Sequence, residues 1–136
     1  MKNNIADLEL CILSCLLLKP ELMQEIIVED KHFVNHQKLW HYMKAFYKKF
    51  GTFDAQLMFA TSNNKWYIVN FLEALLDIDV NVSNFKKYQD LLIELYNEEE
   101  GTKEKIELIY KYANDLYVRN INLNEFKEKI NKVLGE

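Results

Sequence analysis

The chain has 136 residues, 49% of them apolar, enough for one ordinary domain with a core of its own. Its 3 glycines and 1 proline are too few for the many tight turns of a β-rich fold. The formal net charge of -4 argues against strong autonomous nucleic-acid binding, because Arg119 is the one arginine and the lysines are interleaved with acids. The expected class is all-α: a helical globular bundle of about six helices over residues 1–98, followed by a C-terminal antiparallel helical hairpin over residues 99–136.

The first helix is expected over residues 4–18, where Ile5, Leu8, Ile12 and Cys15/Leu16 recur at helical spacing. Cys11 and Cys15 lie four apart and share a face. A disulfide within one helical turn is geometrically poor, so buried free thiols and a reducing, cytoplasmic setting are expected. The apolar run is too short to span a bilayer, and Asp7, Glu9 and Lys19-Pro20 interrupt any signal-peptide reading. Pro20 suits the first turn of a short helix that turns Leu22, Met23, Ile26 and Ile27 inward. Glu29-Asp30-Lys31-His32 reads as a loop.

A third helix over residues 35–50 carries Leu39, Met43, Phe46 and Phe50, broadened by Trp40 and Tyr47, and stops at Gly51. A short helix then holds Leu57, Met58 and Phe59, and Thr61-Ser62-Asn63-Asn64 forms a turn. The fifth helix, from Lys65, carries Ile68, Phe71, Leu72 and Leu75, with Asp77 and Asp79 as solvated acids at its end. Asn81–Asn84 caps a sixth with Phe85, Tyr88, Leu92 and Leu95 inward. The polar stretch Asn97–Thr102, broken by Gly101, marks the boundary. Thr102 begins a seventh helix and Asn122, with Glu125 three residues on, begins the eighth.

Two helices of similar length with a tight link make an antiparallel hairpin, which cannot bury all its apolar side chains alone. Ile106, Ile109, Tyr110, Ala113, Leu116 and Tyr117 on one helix, with Leu123, Phe126, Ile130 and Val133 on the other, form the candidate interface. If hairpins pair, Ile109→Asp is expected to dissociate them.

Chemistry-bearing motifs are scarce. There is no phosphate-binding G-x-x-x-x-G-K-[ST], no G-x-S-x-G and no C-x-x-C. Glu29, His32 and His36 have helical metal-ligand spacing, but a helix boundary between the histidines and the lack of a fourth ligand favour capping or packing roles. Cys15 is too apolar in its surroundings to be a nucleophile. Lys44, Lys48 and Lys49 read as one solvated face. Neither cofactor nor metal is expected, and no catalysis.

The stretch Glu9-Leu10-Cys11-Ile12-Leu13-Ser14-Cys15-Leu16-Leu17-Leu18-Lys19-Pro20 resembles the opening of DnaB-type replicative helicase N-terminal domains, with Ser14 in place of a Gly and Lys19 in place of an Asp. Glu29–Trp40 is similar to that family's acidic-Phe segment followed by His-Gln, here His36-Gln37, and an apolar pair. Gly51-Thr52-Phe53-Asp54 resembles its Gly-x-Pro-Ile-Asp element, without the proline, and Tyr88 fits the Tyr opening its last helix before the hairpin. The resemblance covers residues 5–95, and the helicase-binding domain of DnaG-type primases is related in fold. It implies a non-catalytic collar module that self-associates through its hairpin and contacts helicase, primase or loader, with the ATP-hydrolysing motor absent from this chain. A helical regulator or inhibitor, phage- or plasmid-encoded, that binds a host protein outside replication is the alternative.

Overall fold

The computed structural model describes residues 2–74 and 78–135, and among them lie only α-helices, short 3-10 segments and connections, with no strand. The protein is all-α. Two compact units divide it, Met1–Leu95 and Tyr96–Glu136.

In the first unit, α1 (Lys2–Leu18) supplies the centre of the core, because Ile12, Leu13, Cys15 and Leu16 are all fully buried. Burial of every position from Ile12 to Leu16, Ser14 included, and partial burial of Leu8, Leu10 and Leu17 mean neighbours on most sides of the helix. Pro20 opens Pro20–Glu25, but the segment is a 3-10 helix and Ile27 is exposed. The stretch Asp30–His32 is a 3-10 turn rather than an open loop. Helix α2 (Gln37–Phe50) follows, with Leu39, Trp40, Met43 and Phe46 buried. Phe50, expected in the same stripe, is 37% exposed and lies under the Lys49 ammonium. Gly51 ends α2 in the left-handed region at φ 71, its N–H donating to Tyr47 O at 2.7 Å.

Asp54 caps α3 (Ala55–Thr61) by accepting from Leu57 N–H at 3.0 Å. Met58 faces the core, while Leu57 and Phe59 are exposed. Helix α4 (Trp66–Ala74) buries Ile68 and Phe71. Leu75 and Asp77, expected at the end of this helix, lie outside the described residues.

The largest departure from expectation is α5. It runs unbroken from Phe85 to Tyr117, through the polar stretch that was expected to separate two helices. Glutamates are good helix formers, Thr102 Oγ1 donates to Glu98 O at 2.9 Å, and Lys103 pairs with Glu100 at 3.2 Å. One interior glycine costs the helix only about 1 kcal/mol. A Cβ added at Gly101 would meet nothing within 4 Å. Gly101→Ala is therefore expected to stabilise the protein by about 0.5–1 kcal/mol, read as a higher urea midpoint at unchanged m-value. A lower midpoint would mean that the chain needs a bend there.

The second unit holds the C-terminal part of α5 and α6 (Leu123–Leu134). The turn between them is a Schellman motif: Arg119 N–H donates to Leu116 O at 3.1 Å and Asn120 N–H to Asp115 O at 2.9 Å. Arg119 occupies the left-handed position at φ 64, where glycine is usual. Asn122 and Glu125 form the capping box that starts α6, with bonds of 2.8 and 3.3 Å.

Candidate functional site

Two polar side chains of the first unit, Glu9 and Gln89, are buried and hydrogen-bonded to backbone groups remote in sequence. Glu9, in the middle of the apolar run of α1, is wholly shielded from solvent. Its carboxylate accepts from the Asn35 backbone N–H at 3.0 Å, the His36 N–H at 2.8 Å and the Asn35 side-chain amide at 2.8 Å. Burial raises its pKa against these three bonds, each of which lowers it. The node ties α1 to the chain that enters α2.

Just before it, Asp30 Oδ1 accepts from Trp40 Nε1 at 2.7 Å and from Lys44 Nζ at 2.6 Å, and those two bonds hold its carboxyl below the usual range. Trp40 stacks on Phe33, with ring centroids 4.5 Å apart. Lys44 is thus ion-paired to Asp30 at a partly exposed position, whereas Lys48 and Lys49 are exposed at the end of α2. The second buried polar group is Gln89 on α5. Its Oε1 accepts from Ile27 N–H at 2.7 Å and Val28 N–H at 3.3 Å, and its Nε2 donates to Glu25 O at 3.3 Å.

The groups considered for chemistry are separated or masked by this packing. His32 ends a 3-10 turn and its Nδ1 accepts from Glu29 N–H at 2.8 Å, while His36 stands before α2. Burial pushes both imidazoles below their ordinary pKa. Among the described residues no three His, Cys, Asp or Glu side chains are placed to hold a metal ion. Cys11 and Cys15 are free thiols, and burial pushes Cys15 up to about 11, far from a reactive thiolate at neutral pH. Among the described residues no helix is long and apolar enough to cross a membrane.

The ten candidate interface residues divide into two sets. Ile109 and Leu116 on α5 and Phe126 and Ile130 on α6 are half-buried, and Val133 is buried. They belong with Tyr112, whose ring lies 5.1 Å under the Lys129 ammonium of α6, in the seam that closes the hairpin antiparallel. Ile106, Tyr110, Ala113 and Tyr117 lie on an outer face of α5, and Leu123 is exposed at the start of α6. Tyr110 is 73% and Tyr117 86% exposed. Ile109→Asp would therefore act on the hairpin's internal seam, so Tyr110 is the residue that reports on an external contact.

One surface feature of the first unit is not evident from periodicity. A cavity of about 510 Å³ opens beside the start of α2, walled by Leu10, Val34, Leu39, Trp66 and Phe71, with Trp66 69% exposed. The sequence places Trp66 at a helix start but carries no signal of what it faces. Comparison of the chain with protein-family models, with curated proteins and with solved structures finds no match.

Proposed function

We propose that this chain is a non-catalytic protein–protein interaction module of DNA replication, comparable to the N-terminal collar domain of a DnaB-type helicase. It works in the cytoplasm, associates with itself through its hairpin, and engages a replicative helicase, a primase or a helicase loader. The observation that carries this reading is the Glu9 node. Two separate sequence segments bear the resemblance, the apolar run holding Glu9 and the stretch through Asn35-His36, and the Glu9 carboxylate joins them by three hydrogen bonds. Motifs that resemble a family and also hold one another in place fit a common architectural origin better than chance matches do. The exposed apolar side chains of the hairpin favour assembly over catalysis, since aromatic area left in solvent is characteristic of contact surfaces.

The test is capture of purified replicative helicase, primase and loader on the immobilised chain. Saturable retention of at least one of them is the expected result. Retention of none of the three would defeat the replication reading and leave a regulator of some other host protein.

A further inference from the structure

We propose that the basic outer face of α2, together with the cavity beside its start, is a docking site for an acidic amphipathic segment of another protein. One apolar side chain of the segment fills the cavity, and its carboxylates lie along the lysines. The site belongs to the first unit and stands whether or not that protein works in replication.

The charge of this face is set by sequence. Helix α2 carries Lys38, His41, Lys44, Lys48 and Lys49 and no acidic residue, in a chain whose net charge is -4. Helices α1, α5 and α6 each mix the two signs. Helical spacing puts Lys38, His41, Ala45, Lys48 and Lys49 on one side of α2, and all five are exposed. Leu39, Met43 and Phe46 face the core on the other side. Lys44 stands on the flank and is taken by Asp30. Among the described residues Lys38, Lys48 and Lys49 make no ion pair. Ammonium groups gathered on one surface repel one another, and a segment bearing carboxylates relieves that repulsion.

The cavity supplies the apolar half of the site. Lys38 is part of its lining, so the basic face begins where the cavity opens. Leu10, Val34, Leu39, Trp66 and Phe71 wall the space of about 510 Å³, and no acidic residue lines it. Val34 and Trp66 are exposed there. The Trp66 ring meets Tyr67 edge-on, with centroids 5.9 Å apart. A hollow of this kind takes an aromatic or aliphatic anchor side chain, as when an amphipathic helix docks in a groove.

Two observations select a protein segment over other anions. From Lys38 to Lys49 the face extends about 16 Å along the helix axis, past the reach of one small molecule held in the cavity. A nucleic-acid strand fits less well, because three lysines without an arginine offer few phosphate contacts and a phosphodiester chain brings no apolar side chain for the cavity.

The experiment uses the full chain and the emission of Trp66, since Trp40 is buried and Trp66 is 69% exposed. The probe is a synthetic helical peptide with glutamates along one face and a single phenylalanine near its end. Two sister peptides replace the phenylalanine by alanine or the glutamates by lysines, and an oligothymidylate represents nucleic acid. Saturable binding of the glutamate peptide, with the emission shifted to shorter wavelength, is the expected result; Trp66→Phe should abolish the shift. Both sister peptides should bind at least tenfold more weakly. Lys48→Glu combined with Lys49→Glu should weaken the glutamate peptide at least tenfold, with unchanged helical circular dichroism. Absence of saturable binding, equal binding of either sister peptide, or tighter binding of the oligothymidylate than of the glutamate peptide would each overturn the proposal.

Discussion

Replacing Glu9 by leucine should destabilise the protein by about 3 kcal/mol, although an apolar residue takes a fully buried position. The carboxylate is the acceptor for two backbone N–H groups, at Asn35 and His36, and for the Asn35 amide. Removing it strands those donors, at about 1–3 kcal/mol for each group left buried and unpaired. Glu9→Gln is the informative partner variant. One amide oxygen can still accept both backbone N–H groups, the Asn35 side chain can turn to accept from the new amide, and the cost of burying a charge disappears. Glu9→Gln should therefore stay within about 1 kcal/mol of wild type. Urea unfolding of the three proteins decides the matter; equal losses for Leu and Gln would mean that the negative charge itself is required.

The same variants separate opposing pH effects. Burial raises the Glu9 pKa above its ordinary 4.5, so the folded state holds that proton more tightly than the unfolded state. Its contribution is fully present below pH 4.5 and is lost as pH rises through the folded pKa. His32 and His36 are shifted below 6.5, so the unfolded state takes up their protons first. Their contribution is present above pH 6.5 and is lost as pH falls through the folded values. The two trends offset each other between pH 7 and 5 in the wild type. Glu9→Gln removes the compensating half and should lose more stability over that interval than the wild type does.

Gln89→Leu should cost about 2–3 kcal/mol, concentrated far away in sequence. The substitution orphans the N–H groups of Ile27 and Val28 and withdraws the donor from Glu25 O. Because the lost partners all lie in one connecting segment, amide hydrogen exchange at Ile27 and Val28 should accelerate more than exchange within α1. Uniform acceleration through the first unit would show that Gln89 supports the core as a whole rather than this segment.

These two side chains also show where sequence reading succeeds and stops. The caps at Gly51 and at Asn122 with Glu125 were legible because each relies on a local bond between near neighbours. The stripe of α2 was legible because periodicity reports a buried face. Glu9 and Gln89 each leave a trace, a polar residue at an inward position of a helix. Gln89 falls between Phe85 and Leu92 at buried spacing. The trace does not say which backbone groups, 26 and 62 residues away, each side chain satisfies. The helix break expected near Gly101 failed for the converse reason. Polar composition was read as a connection, while glutamates, a threonine bond to Glu98 and an i,i+3 ion pair carry α5 onward. In the hairpin, spacing identified apolar positions but could not divide the half-buried stripe around Ile109 from the exposed one around Tyr110.

The reach of the Gln89 bonds has a kinetic meaning. A contact across 62 residues becomes favourable only after a long stretch of chain has been ordered, whereas the hairpin joins residues separated by a single turn. The hairpin can assemble on the timescale of local helix closure, with the Glu25–Val28 segment secured late. Interactions formed after the rate-limiting barrier hold the native state closed without speeding its formation. On that view Gln89 is a latch: its loss would leave the folding rate nearly unchanged and shorten the lifetime of the folded first unit.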